Sequence, residues 1–356
     1  MSISPFDHPF LSGLIGDDEA ARWFSAENDV IAMLSFESAL AEAQASEKII
    51  ENSAAEAIKL ACSTFSPDVA ALRAAVALDG VVVPELIRQL HETVPHEHRA
   101  ALHFGATSQD VIDTSLMIRL KPVLRHIDAG MSDILVELDR LDNAFGDSGL
   151  TGYTRMQAAI EITVHDRIEA WRGPLLRNCQ KLNVLKQDFP VVQFGGAAGT
   201  LDKLRDKGPA VRKRMADILG LKDVPQWQNQ RDIVAQFTDF LSQISGSLGK
   251  IGQDIALLAQ AGNEISLSGG GKSSAMPHKH NPVLAELLVA LARFNATQVS
   301  AMHHALIHEQ ERSGAAWTLE WMILPGMVTA TVASVRTAAS LLGSVMKIGL
   351  DITTKT

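Results

Sequence analysis

Between Pro225 and Pro277 no proline interrupts the chain, and there apolar residues recur as Ile233, Phe237, Leu241, Ile244, Leu248, Ile251, Ile255 and Leu258. The steps are three and four residues, which is the stripe of an amphipathic helix with a heptad-like period. A helix over Ile233 to Leu258 is about 38 Å long at ~1.5 Å per residue, more than most globular helices reach. Such a rod needs other rods to cover its apolar face. Four further segments qualify: Leu116 to Phe145, Gln157 to Phe189, the proline-free run between Pro282 and Pro325, and the run after Pro325 through Val328, Val332, Val335, Leu341 and Leu342. The alternation of a half-buried strand is nearly absent. The pattern predicts an all-α, long-helix bundle.

Upstream, residues 19 to 62 read as Ala/Glu-rich helices with Leu34, Leu40, Ile49 and Ile50 among their apolar positions. Asp79-Gly80-Val81-Val82-Val83-Pro84 reads as a turn into a helix starting at Pro84, a favoured first helical position. The clearest boundary falls near Gly105 to Asp110, where Thr107, Ser108 and Asp110 are N-cap residue types opening the first long helix. The expected organisation is an N-terminal helical domain over 1–105, a central bundle over 106–350 that carries assembly and the active site, and a tail over 351–356.

Composition acts by exclusion. The 356 residues are 46% hydrophobic, enough for a large core, and carry a net charge of −9. That balance argues against nucleic acid or an anionic membrane as the main partner, since both need a basic face. The basic group Lys203, Arg205, Lys207, Arg212, Lys213 and Arg214 reads as an exposed helix surface. Cys62 and Cys179 lie far apart without metal-type spacing, which points to free, buried thiols in a reducing compartment. Met1 to Pro5 begins no secretory signal, and no uninterrupted apolar run reaches the ~18 residues of a membrane span, so a cytoplasmic protein is expected.

Function concentrates in three polar clusters. Gly269-Gly270-Gly271-Lys272-Ser273-Ser274-Ala275-Met276-Pro277-His278-Lys279-His280-Asn281-Pro282 combines glycines with two serines, two lysines, two histidines and an asparagine. Consecutive glycines free the backbone to turn its N–H groups onto an anion, and the donors that follow suit a reaction in which negative charge grows on oxygen. The others are His103-Phe104-Gly105-Ala106-Thr107-Ser108-Gln109-Asp110 and Gly152-Tyr153-Thr154-Arg155-Met156-Gln157. Each is expected to precede a long helix whose N-terminal N–H groups favour a carboxylate.

Ser273 through Pro282, preceded by glycines, resembles the signature of the fumarase/aspartase superfamily, and the other two clusters resemble its first and second signature regions in the right order. His103 through Thr114 and the run Ala316-Trp317-Thr318-Leu319-Glu320-Trp321 carry a finer resemblance to the branch that cycloisomerises 3-substituted muconates. The paired serines followed by Glu-Arg that bind phosphate in adenylosuccinate lyases are missing around Gln310 to Trp317.

The resemblance implies a homotetramer with each active site built from three chains, a small polycarboxylate substrate, and neither metal nor redox cofactor. It makes Ser273 the candidate proton-transfer residue on a loop, with Lys279 and Asn281 holding the reacting carboxylate. Thr107 and Ser108 would hold a substrate carboxylate, and Thr154 and Gln157 would line the same site. The general acid stays open between Ser273, Lys279 and His103. In lactonisation one carboxylate adds to the conjugated diene, charge gathers on a second, and the carbon α to it takes a proton. Donors aimed at that charge typically contribute ~3 to 4 kcal/mol each.

Two departures from the family pattern stand out. Arg155 follows the threonine of the second region where many members have histidine, and it is expected to anchor a third anionic group, a carboxylate or sulfonate at the 3-position. The sequence stops at Asp351 to Thr356, about where the family's small C-terminal helical domain begins, and the expectation is a core bundle without that domain. His304 and His308, four apart, have zinc-compatible spacing on a presumed helix, yet no third ligand accompanies them. His96 and His98 beside Arg99 read as a solvated loop. The expected activity is conversion of a 3-carboxy- or 3-sulfo-muconate to its lactone. Its rivals are a C–N lyase of the same superfamily and a non-catalytic structural homologue.

Overall fold

The computed structural model describes residues 4–272, 276 and 280–350. Along the chain run α1 (Ser12–Ile15), α2 (Asp18–Trp23), α3 (Ala26–Ser46), α4 (Asn52–Thr64), α5 (Val69–Asp79), α6 (Val83–Thr93), a 3₁₀ turn (His96–Ala101) and α7 (Ser108–Phe145). A hairpin of β1 (Gly149–Thr154) and β2 (Gln157–Thr163) follows, then α8 (Val164–Asp188), a second 3₁₀ turn (Asp202–Lys207), α9 (Gly208–Leu219) and α10 (Asp232–Ala261). The described remainder is β3 (Ile265–Leu267), β4 (Gly271–Lys272), β5 (His280–Asn281), α11 (Val283–His304), α12 (Gly314–Gly343) and β6 (Val345–Ile348).

Five long helices, α7, α8, α10, α11 and α12, make the bundle that the periodicity predicts. On α7 the buried residues Met117, Leu120, Val123, Leu124, Ile127, Met131, Ile134, Leu138 and Leu141 repeat at helical spacing. Burying each such side chain contributes about 1.5–3 kcal/mol before the entropy of ordering is subtracted. Helix α10 follows the predicted stripe almost to the residue, and its Gly249 and Gly252 let α11 approach closely. A Cβ at Gly249 would sit 2.5 Å from that of Ala292, and one at Gly252 would sit 2.6 Å from the Ala285 carbonyl oxygen. Helix α12 is long and apolar enough to cross a membrane by length and composition, yet 61% of that window is buried inside the protein.

Three expectations need correction. Pro325 does not separate two helices but lies inside α12, as Pro122 lies inside α7 and Pro174 inside α8. Packing along the bundle outweighs the missing N–H at each site. The segment from Gln157 does not start a helix: residues 157–163 form β2, and α8 begins at Val164 behind an N-cap where Thr163 and Asp166 bond reciprocally. The second cluster is therefore a hairpin tip rather than a helix N-terminus. The two histidines do not share a helix either, since α11 ends at His304 and His308 lies in the following loop.

The bundle has two chemically distinct ends. The N-termini of α7, α10 and α12 meet at one, where Arg231 bonds Asp113 at 2.7 and 3.2 Å and Glu320 at 2.8 Å, with all three side chains buried. At the other end lie the hairpin and the short strands: β3 pairs with β6, Gly149 pairs with Leu350, and Arg140 of α7 donates to the Leu342 carbonyl at 2.9 Å.

Candidate active site

At the α7 N-terminus the chain makes a compact polar turn. His103 adopts a left-handed backbone (φ 57°), as does Gly105 (φ 77°), which packs under Leu204. Thr107 is the N-cap, and its N–H donates to the Asp110 carboxylate at 3.1 Å. Asp110 is fully buried and also accepts from Gln193 Nε2 at 3.0 Å, Gly195 N at 2.8 Å and Gly196 N at 2.9 Å. Burial pushes its carboxyl up to about 7 against the pull of these four donors. Asp110 thus ties the 193–196 loop to the start of α7 and fixes where Thr107 and Ser108 stand.

Beside them lies Arg312, a residue the sequence reading did not single out. Its Nη2 donates to Thr107 Oγ1 at 3.2 Å and to the Ala197 carbonyl at 3.2 Å, and its Nε donates to Gln109 Oε1 at 3.0 Å. All three acceptors are neutral, and among the described residues no carboxylate pairs with it. An exposed guanidinium oriented by neutral groups at a helix N-terminus is a seat for an anion. The support runs inward: Gln109 Nε2 donates to Asp113 at 3.1 Å, Asp113 accepts from Trp317 Nε1 at 3.1 Å and pairs with Arg231, whose guanidinium lies 4.7 Å over the Trp227 ring. The signal in sequence was the Glu311-Arg312 pair, which carries no spacing that relates it to Thr107.

His103 is half-buried, with Nδ1 2.6 Å from the Glu37 carboxylate. Burial disfavours its imidazolium, but Glu37, with Asp110 behind it, outweighs burial and a smaller push from Lys203, so the ring holds its proton above the ordinary histidine range.

The remaining candidates lie at the other end. Thr154, Arg155 and Gln157 are exposed at the hairpin tip, where Arg155 (φ 47°) and Met156 (φ 67°) form a two-residue turn with both backbones left-handed. Asn281 pairs with Gly271 across β4 and β5, beside a cleft of about 410 Å³ lined by Gly269, Gly270, Gly271, His280 and Pro282. Ser273 and Lys279 lie outside the described residues. Within one chain, then, His103, Thr107 and Ser108 come together, whereas Asn281 and the hairpin tip do not join them: α7 alone, with 38 residues, separates the ends by about 57 Å.

Elsewhere, Asp142, His165 and Glu169 come within metal-ligand reach of one another, with Arg172 bonded to both carboxylates. An apolar cavity of about 300 Å³ between Phe24, Val81, Leu116, Arg119 and Trp321 is lined by none of the candidate catalytic or substrate-binding residues. Cys62 is buried and Cys179 only half-buried, and both are free thiols. Of the basic group, Lys207 donates to the Glu47 carbonyl at 2.6 Å and Arg212 pairs with Asp223 at 2.7 Å, so part of it is engaged in packing.

Comparison with known proteins accounts for this arrangement. A family profile described as lyase matches residues 17–299. The chain is 35% identical over 327 residues to the 3-carboxy-cis,cis-muconate cycloisomerase of Pseudomonas aeruginosa, covering 90% of this chain and 71% of the relative. The crystal structure of 3-carboxy-cis,cis-muconate lactonizing enzyme from Pseudomonas putida superposes with a TM-score of 0.88 at 32% identity, over 95% of this chain and 77% of that one. A fumarate lyase from a Mesorhizobium species gives 0.86 at 30% identity, over 94% and 76%. The chain thus spans between 71% and 77% of the length of these proteins. A five-rod bundle with polar clusters at opposite ends, matched in sequence and in backbone over nine-tenths of its length, belongs to the lyase family of the fumarase/aspartase superfamily.

Proposed function

We propose that this chain is a cycloisomerase that converts 3-carboxy-cis,cis-muconate to its muconolactone in aromatic catabolism, with 3-sulfomuconate as a second substrate. The observation that carries this reading is Arg312, a cation whose side-chain bonds among the described residues all go to neutral acceptors, beside Thr107 and Ser108. It provides a carboxylate seat in a chain whose relatives act on a tricarboxylate. In the proposed site Thr107, Ser108 and Arg312 fix one carboxylate, and Lys279 with Asn281 and the N–H groups of the Gly269–Gly271 segment stabilise the aci-form of a second. Arg155 meets the substituent at C3, Thr154 and Gln157 flank it, and His103 or Ser273 delivers the proton. Stabilising charge where it develops is the main contribution expected of such a site, and no electron leaves the substrate during lactonisation.

The separation of the two polar ends supports sites shared between three chains of a homotetramer. So do the exposed apolar side chains of the hairpin, Tyr153, Met156 and Ile160, which a neighbouring chain would cover. The net charge and the free thiols favour a cytoplasmic setting.

The test is ultraviolet absorbance of 3-carboxy-cis,cis-muconate mixed with the purified protein, beside 3-sulfomuconate, adenylosuccinate and argininosuccinate. Lactonisation removes the conjugated diene, so loss of the muconate signal supports the assignment. Silence on muconates with cleavage of a succinyl compound would transfer the protein to the C–N lyases, and silence on all four would favour a structural homologue.

A further inference from the structure

Under His103 lies a carboxylate that the sequence clusters do not include. Glu37, on α3, is 1% exposed; one oxygen is 2.6 Å from His103 Nδ1, and the other, Oε2, is buried without a hydrogen-bond partner. Two turns further along α3, Gln44 Nε2 donates to the Phe104 carbonyl at 2.6 Å. Helix α3 therefore grips the His103–Phe104 turn at two points, and the left-handed backbone of His103 sets the direction of the ring. No described residue takes its Nε2, and 20% of the side chain is open. Among the described residues His103 Nδ1 is the one group bonded to this buried carboxylate, and a proton on Nδ1 satisfies it.

We infer that Glu37 is the positioning residue of the reaction: it holds the Nδ1–H of His103 and thereby presents His103 Nε2–H to the substrate as the general acid. This rests on the cycloisomerase reading above. A substrate carboxylate oxygen bonds to the alkene carbon, and the displaced π electrons form the new bond to hydrogen at the carbon α to the second carboxylate. The Nε2–H bond breaks to supply that hydrogen. The imidazolium becomes a neutral imidazole, still bonded through Nδ1–H to Glu37, and regains a proton from water. The substrate loses one negative charge with the proton it gains, and nothing is oxidised.

The groups acting on the ring come from each surrounding element. They are Glu37 on α3, Asp110 on α7 and, with the opposite sign, Lys203 in the second 3₁₀ turn. Cys62 on α4 also senses Glu37, and burial followed by that charge pushes its thiol up to about 12. Glu37 is the strongest of the groups favouring the charged ring, because it is both a charge and a bonded acceptor.

The experiment compares the wild-type oligomer with Glu37→Gln and Glu37→Asp in two readouts. Carbethoxylation of His103 by diethyl pyrocarbonate, followed against pH by peptide mass spectrometry, reports the ring without any need for substrate. The wild-type midpoint is expected above the ordinary ~6.5, and Glu37→Gln is expected to lower it by about one pH unit or more. Turnover of 3-carboxy-cis,cis-muconate should show its alkaline limb moving by the same amount, with kcat near pH 8 down about tenfold, KM changed little, and Glu37→Asp restoring most of the loss. Should Glu37→Gln fail to assemble, the charge-conserving Asp variant still reports through a smaller displacement in the same direction. An unmoved midpoint overturns the pairing. A moved midpoint with an unmoved kcat limb overturns the acid role and assigns the proton to Ser273 or Lys279. A moved midpoint in a protein that turns over no muconate leaves the pairing standing and removes the functional reading instead.

Discussion

Asp110 collects Gln193 Nε2, two backbone N–H groups of the 193–196 loop and the N–H of Thr107 on a single buried carboxylate. Removing it strands four donors where water does not replace the lost acceptor. A buried unpaired polar group costs about 1–3 kcal/mol, and relaxation makes the four less than additive, so Asp110→Ala should lower unfolding stability by about 3–5 kcal/mol in urea titrations. Asp110→Asn should recover less than half of that, because its amide NH₂ directs a donor at donors. A loss below ~1 kcal/mol would show that the loop is held elsewhere. The same residue illustrates what sequence reading reaches: Asp110 and Thr107, which cap the helix together, are visible as N-cap types, but Gln193, Gly195 and Gly196, the other partners of Asp110, lie 83 or more positions away, and Arg312 lies 205 from Thr107. Local chemistry is written in neighbouring residues, whereas an anion seat built from Thr107, Gln109 and Arg312 is written in the folded path.

At the scale of elements, the long helices were legible because their apolar stripes have a period, and what escaped had none. Strand β2 is exposed over most of its length, so no burial alternation marks it, and its turn uses Arg155-Met156 in place of the Asn-Gly that would announce a hairpin. Two non-glycine residues in left-handed conformations cost of order 1 kcal/mol or more each. Replacing the pair by Asn-Gly should therefore leave the melting temperature equal or higher, while turnover of the 3-carboxylated substrate falls as the Arg155 guanidinium is lost. A fall in stability would instead mean that Arg155 or Met156 holds the hairpin by packing. On α10 the sign is reversed. Alanine in place of a helical glycine ordinarily gains about 1 kcal/mol, yet a Cβ at position 252 meets the Ala285 carbonyl oxygen at 2.6 Å and the Leu288 Cβ at 2.8 Å. Gly252→Ala should destabilise by about 1–3 kcal/mol, whereas Gly246→Ala, with nothing within 4 Å of its Cβ on the same helix, should stabilise. Equal effects at the two positions in calorimetry would remove close α10–α11 approach as the reason for glycine.

For the whole molecule the governing quantity is the length of α7. With His103, Thr107 and Ser108 at its start and the hairpin, Asn281 and the Gly-rich strand beyond its end, about 57 Å lies between groups that one substrate of roughly 10 Å has to touch. No hinge within a rigid bundle closes that gap, so on the function proposed above the contributions come from different copies. The arrangement predicts complementation. A His103→Ala chain and an Asn281→Ala chain, each nearly inactive alone, are unfolded together and refolded as mixed oligomers. A site that draws its α7 turn from one copy and its Asn281 from another receives two wild-type contributions in about one case in four, so activity should return to roughly a quarter of the wild-type value. The recovered sites should also keep a wild-type KM, because each contains no substituted residue. If the two residues served the same chain's site, every site in the mixture would carry one substitution, and refolding together would return nothing above the separate variants. Activity that rises with mixing, and then falls with dilution below the assembly range, would tie catalysis to the oligomer rather than to the single chain.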